Sequence, residues 1–225
     1  LAEDGGETQV GGGFDSGREP SELDLDEVAA DAVERATRLL GATQPPSRRL
    51  TVVLEPRIAA SLLGIVAGTL TGDRVLKGRS PFGDRLGEAI AATELTLVDD
   101  PTDSRSIAAH AHDGEGLACR RNVLVEDGVA QRFLYDSWSA RKAGGGTRST
   151  GSAVRGVRST PGVGVHALQV VPGERSAEDL LAEVEDGLYV ASLTGLHSGV
   201  NAISGDFSVG ADGLLVSGGQ LGAPV

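Results

Sequence analysis

Cysteine is nearly missing from this chain: one residue, Cys119, stands among 225. A single thiol excludes an internal disulfide framework and fits the reducing cytoplasm, which is the location expected here. Aromatic side chains make up only 3%, so a core must be built mainly from Val, Leu and Ala. Cations are outnumbered: 20 Lys and Arg against 32 Asp and Glu give a net charge of -12. An acidic surface of this size argues against direct nucleic-acid binding, which needs a basic face. No apolar run reaches the ~18 residues that a membrane helix requires. What the chain has in excess is glycine, with 33 residues, about double the usual share. Many glycine turns joined to small aliphatic side chains suit β-rich structure. The length allows one or two domains with a sizeable core.

Residues Leu1–Gly17 are glycine-rich and acidic, without periodicity. The first 20 residues therefore read as a loop or the remnant of a preceding domain, and 21–225 as the domain proper. Ser21 is placed to cap a helix whose Leu25, Val28, Ala29, Ala32, Val33, Ala36, Leu39 and Leu40 recur at helical spacing until Gly41. Arg49–Leu54 reads as a short β-branched strand. Pro56 suits the first turn of a second helix that carries Ile58, Leu62, Leu63, Val66 and Leu70 on one side. Glu94–Val98 is a strand. Asn122–Val125 and Gln131–Tyr135 flank Glu126-Asp127-Gly128, which marks a hairpin. Arg141–Gly164, with seven glycines, reads as a long loop. Val165–Val171 is a strand, and Ser176 caps a short helix over Ala177–Glu185. Gly187–Leu193, Asp206–Val209 and Leu214–Ser217 read as three further strands, the last two joined across Asp212-Gly213. The order α, β, α, then mostly β, makes the fold class α+β rather than a doubly wound sheet.

Three blocks carry more than secondary structure. The first is Asp113-Gly114-Glu115-Gly116. The second is Phe133-Leu134-Tyr135-Asp136-Ser137-Trp138-Ser139-Ala140-Arg141-Lys142, followed by Ser149-Thr150-Gly151. The third is the C-terminal pattern GLYV…GLHSGVN…SGDFSVGA. In this order they closely resemble the C-terminal half of the TldD/PmbA family, historically labelled modulators of DNA gyrase, and more narrowly its PmbA (TldE) branch. The resemblance runs over nearly the whole chain. It implies a β-rich C-terminal domain with a few flanking helices. It also implies that the chain is a fragment or a reduced form, because family members are about twice as long and continue beyond Val225 into further strands.

In the TldD branch, a strand leads into a helix bearing His-Glu-x-x-x-His, and a later cysteine completes a zinc site. Imidazole nitrogens and a thiolate bind the ion, and the glutamate activates its water. The equivalent junction here, Val52–Ser61, contains no histidine, and the cysteine region, Ser192-Leu193-Thr194, contains no cysteine. The resemblance therefore implies a subunit with no catalytic residues, no metal ligands and no cofactor of its own, and zinc in a TldD-like partner. Another metal set exists on paper: His110-x-His112 puts two imidazoles on one face if it is a strand, and Cys119 follows. The competing reading is two histidines on an exposed strand and a buried Cys119 acting as a small hydrophobe. His166 departs from relatives, which tend to carry Thr-Asn where this chain has Val165-His166. A serine hydrolase is disfavoured, because Ser198 and His197 are sequence neighbours without a Gly-x-Ser-x-Gly elbow. Gly144-Gly145-Gly146 lacks the Gly-Lys-Ser/Thr of a phosphate loop. Nothing in their spacing singles out Asp113, Glu115, Asp136 or Asp206 as acid–base carboxylates.

The functional expectation is a PmbA/TldE-like, non-catalytic subunit. It pairs with a TldD-like zinc peptidase that degrades or processes unfolded or extended peptides, without direct nucleic-acid or membrane contact. The alternative is a stand-alone, homo-oligomeric peptide-binding or assembly module. Peptide-binding candidates are Tyr135, Arg141, His197, Ser198 and Asn201. The last three lie in the glycine-rich stretch Thr194–Asn201, where Gly195 and Gly199 leave room for a peptide backbone.

Overall fold

A computed structural model describes residues 1–225. The fold is α+β. In chain order, β1 (Ala2–Asp4) and β2 (Glu7–Gln9) form a hairpin, and α1 (Leu25–Thr37) follows a 3-10 turn at Pro20–Glu22. Next, β3 (Thr51–Leu54) runs into α2 (Pro56–Thr69) and then α3 (Gly72–Leu76). The middle of the chain supplies β4 (Leu97–Asp99), β5 (Asn122–Glu126), β6 (Val129–Ala130), α4 (Ser137–Ala143), β7 (Ala153–Val154), β8 (Gly162–Val163) and β9 (Leu168–Val170). Last come α5 (Ala177–Ala182), β10 (Asp186–Thr194), α6 (Leu196–Gly199), β11 (Val200–Asn201), β12 (Asp206–Phe207), β13 (Gly210–Ser217) and β14 (Gln220–Pro224). No helix is long and apolar enough to cross a membrane.

Two units emerge from the packing. Unit 1 comprises residues 1–60, 174–197 and 209–225, and unit 2 comprises 61–173 and 198–208. Residues 1–20 thus belong to unit 1 together with α1 and β3. The sheet of unit 1 has the strand order β14-β13-β10-β3, antiparallel except for the β10–β3 pair. Its inward side chains include Val190, Ala191, Leu214 and Val216, all buried. Capping of α1 falls to Asp24, whose side chain accepts from the N–H groups of Asp26 and Glu27 at 3.1 and 3.0 Å. Ser21 instead sits inside the preceding 3-10 turn, so the helix begins one turn later than its first competent capping residue.

Asp212-Gly213 is not a hairpin turn. Both residues lie inside β13, which pairs with β10 along its length, from Asp186↔Ser217 to Thr194↔Gly210. The register shifts between Val190 and Ser192, and there a Cβ on residue 213 would lie 2.0 Å from the Tyr189 carbonyl oxygen. Glycine is needed at 213 because the bulge presses two backbones together, not because the chain reverses.

Unit 2 is built on a four-stranded sheet of order β6-β5-β4-β9. The β5–β6 hairpin turns at Asp127 and Gly128, whose φ values of 49° and 78° are those its two-residue turn requires. Leu97, Leu124 and Val125 from the sheet pack with Ala67 in the last turn of α2, with Leu70 just after it, and with Phe133 and Leu134. Burying such side chains stabilises by about 1.5–3 kcal/mol each. The 141–164 stretch is not an open loop throughout. It contains the end of α4 and the β7–β8 hairpin, and Gly164 N–H donates to the Ser152 carbonyl at 2.9 Å.

Candidate functional site

In unit 1, β3 and β10 run side by side in parallel, from Gly187↔Thr51 to Val190↔Leu54. Their C-terminal ends therefore bring the start of α2 and residues 192–194 to the same end of the sheet. Glu55 N–H extends the pairing by donating to the Val190 carbonyl at 3.1 Å. This is where the resemblance would put two histidines and a cysteine. The side chains there are of another kind. Glu55 is 3% exposed. Its carboxylate is gripped by Arg38, at 2.5 Å to Oε2, and by Arg35 on Oε1, both from the end of α1. Arg57 donates to Asp31 at 2.8 Å and to the Gly12 and Phe14 carbonyls. Ser192 Oγ donates to Asp212 Oδ2 at 2.6 Å. Three guanidinium groups, and no imidazole or thiol at these positions, do not fit a zinc ion, which needs neutral imidazoles and anionic donors. A buried carboxylate between two arginines is also committed: it has no freedom to act as a base on a bound water.

Unit 2 gathers the first two sequence blocks into one framework. Asp113 is buried, and its Oδ1 accepts from the Glu115 and Leu117 N–H groups at 2.9 Å. Its Oδ2 accepts from Ala153 N–H at 3.1 Å, tying the turn to β7. Glu115 accepts from Ser137 N–H at 2.9 Å, at the start of α4. Asp136 caps that helix through Ser139 in a reciprocal capping box. Thr150 N–H and Oγ1 and Ser149 Oγ all donate to the Tyr135 carbonyl. These motif residues hold backbone to backbone.

The peptide-binding candidates fall into two groups. Tyr135 sits at the entrance to α4. Its ring packs so closely on α3 that a Cβ on Gly72 would lie 2.1 Å from Cε1, and burial pushes the phenol upward. Arg141 is exposed in the last turn of α4. His197 and Ser198 are exposed on α6, and Asn201 is exposed on β11. Asn201 Oδ1 accepts from the N–H groups of Ile203 and Ser204 at 3.0 and 3.3 Å. That oxygen closes its own turn, which leaves the side-chain NH2 as the group available to a ligand. Asn201 also lines a groove of about 270 Å³ within unit 2, walled by Leu62, Ile65, Val66, Phe82 and Phe207.

The fold rearranges the histidines. His112 is exposed, bridged to Ala118, and not on a strand. His110 instead meets His166, with ring centroids 4.4 Å apart and planes at 74°. Cys119 completes the group: one ligand atom from each of the three lies within 4.8 Å of the others. The sequence marks His166 only as a departure from relatives and does not join it to His110 and Cys119. His166 reaches this place through β9, which pairs with β4, and no local signal announces that long-range pairing. Burial lowers the His166 imidazole below its ordinary value, and the charge of His110 adds to this. Burial raises the Asp99 carboxyl and the Cys119 thiol.

The family described as "PmbA/TldA metallopeptidase C-terminal domain" matches residues 47–225. Among curated relatives, "Metalloprotease PmbA" of Escherichia coli O157:H7 is 31% identical over 226 residues, spanning 100% of this chain and 47% of the relative. A solved structure from Thermotoga maritima, described as a modulator of a DNA gyrase, superposes with a TM-score of 0.83 at 30% identity. It covers 92% of this chain, which covers 47% of it. TldE from Thermococcus kodakarensis gives a TM-score of 0.81 at 30% identity, over 90% of this chain and 46% of that one. The chain spans about half the length of the curated relatives it matches.

Proposed function

The chain belongs to the PmbA/TldD metallopeptidase family, and on that premise we propose that it is a non-catalytic, PmbA/TldE-like subunit that pairs with a TldD-like zinc peptidase. The observation that carries this reading is the β3–α2 junction. There Glu55 is locked between Arg35 and Arg38, and no imidazole or thiol stands where a peptidase would hold its metal. The catalytic zinc of the pair belongs to the partner. The likeness to TldE supports the same branch.

The contribution of this chain is to receive substrate. An extended peptide offers main-chain donors and acceptors, and a sheet edge or a glycine-rich turn can satisfy them with little sequence preference. Two features suit that role. One is β3, an edge strand with Val52 half exposed. The other is the α6–β11 turn, where His197 and Ser198 precede Asn201, and Asn201 borders an apolar groove that takes side chains. The experiment is reconstitution: the chain is co-expressed with a TldD-like protein, and cleavage of an unfolded peptide is compared for the pair and for each protein alone. Activity confined to the pair supports the reading. A stable homo-oligomer that ignores the TldD-like protein favours the stand-alone alternative.

A further inference from the structure

We propose that His110, Cys119 and His166 form a binding site for a borderline-soft divalent cation, zinc above all, inside unit 2. Their ligand atoms lie within 4.8 Å of one another. Two donors on a tetrahedral zinc are roughly 3.3–3.8 Å apart, so side-chain rotations of about an ångström close the set. Two imidazoles and a thiolate match the nitrogen and sulfur preference of this ion.

The surroundings are those of a ligand set. His110 Nδ1 lies 2.7 Å from the Ala108 carbonyl oxygen, which fixes the proton there and leaves Nε2 as the donor to a metal. His166 has its own backbone partner in Ala153, and its Nε2 is buried with no hydrogen-bond partner. Asp99 is fully buried. Its Oδ1 accepts from the N–H groups of His166 and Ala167 at 2.9 and 2.7 Å, while Oδ2 has no partner. A buried nitrogen and a buried carboxylate oxygen left unsatisfied both cost stability. A cation held by the imidazoles and the thiolate takes up the unpartnered His166 Nε2. The charge of a dication is offset by the Cys119 thiolate and by the Asp99 carboxylate, whose field reaches His110, His166 and Cys119, and the fourth coordination place is open to water.

The backbone holds the three ligands from separate segments. His110 N–H donates to Pro101 at 2.9 Å, Cys119 N–H donates to Ala111 at 2.9 Å, and His166 is tethered through Asp99 at the end of β4. The ion would cross-link the 101–119 segment to the strand that returns through β9. This site does not depend on the pairing proposed above, and it is tested on the isolated chain.

The test is titration of chelator-treated protein with Co2+ and then Zn2+. One equivalent of Co2+ should produce a thiolate-to-cobalt charge-transfer band in the near-ultraviolet and tetrahedral bands in the visible, both displaced by Zn2+. Cys119→Ser should abolish the charge-transfer band. His166→Ala should weaken binding by roughly a hundredfold or more. His112→Ala should leave the titration unchanged. In the unmodified chain, Zn2+ should slow the reaction of Cys119 with a thiol reagent, a readout that no variant's folding can disturb. Absence of saturable one-to-one binding, a spectrum indifferent to Cys119, or dependence on His112 in place of His166 would overturn the assignment.

Discussion

Arg38 closes on Glu55 at 2.5 Å, across a junction where Glu55 is 3% exposed and the Arg38 side chain 18%. Arg35 meets the other carboxylate oxygen, so one buried anion organises two cations at the end of α1. The cluster is structural in its physics: each charge has its counterion within it, while Arg38 Nε is buried without a hydrogen-bond partner, and breaking the pair leaves charge with no counterpart.

Glu55→Gln should therefore destabilise the chain by about 3–5 kcal/mol, toward the lower end because the arginines keep some contact with water. Urea denaturation followed by circular dichroism measures this. A change below about 0.5 kcal/mol, the range of ordinary surface substitutions, would remove Glu55 from its organising role.

Asp113 accepts three backbone hydrogen bonds, two within its own turn and one from Ala153. Bonds to a charged acceptor contribute about 1.5–3 kcal/mol each, and the buried Ala153 N–H has no water to replace the carboxylate. Asp113→Ala should cost more than about 3 kcal/mol and speed hydrogen exchange at Leu117 and Ala153. Retained protection at both amides would show that other groups hold the turn.

Gly213→Ala places a methyl group 2.0 Å from the Tyr189 carbonyl oxygen, a backbone atom that moves only with its strand. The variant should lose about 1–3 kcal/mol or more, with exchange rising along β10 and β13. Unchanged stability would mean that the bulge between Val190 and Ser192 is pliable.

The α6–β11 turn can be probed without unfolding it. Asn201→Asp keeps the oxygen that accepts from Ile203 and Ser204, and removes the NH2 donor. Combined with His197→Ala, it should lower peptide cleavage by the reconstituted pair several-fold to a hundredfold, since each lost neutral hydrogen bond costs about 0.5–1.5 kcal/mol. Full activity reduces the turn to a connector. Loss of pairing instead moves these side chains to the subunit interface.

What the sequence revealed was what local chemistry decides. Asp127-Gly128 makes its hairpin because the two residues alone tolerate the positive φ values. Pro56 opens α2, and Ser176 opens α5 with Asp179 completing the box, as short-range capping dictates. The composition of the β3–α2 junction was legible for a similar reason, since the lack of histidine in Val52–Ser61 is a fact of sequence. Long-range pairing was not legible. Asp212-Gly213 has the composition of a turn, but β10 recruits it into a strand. His110 looks like the partner of His112 until β4 and β9 pair and bring His166 to it. Ser21 and Asp24 are both competent caps, and the 3-10 turn at Pro20 selects the second.

The most direct measurement is the metal-dependent peptidase activity of the purified 225-residue chain, alone and with a TldD-like partner. The account predicts no cleavage by the chain alone at any zinc concentration, and cleavage by the pair that is abolished when the partner's His-Glu-x-x-x-His is disabled. Zinc-dependent cleavage by this chain on its own, lost with Glu55→Gln under conditions where the variant remains folded, would contradict it.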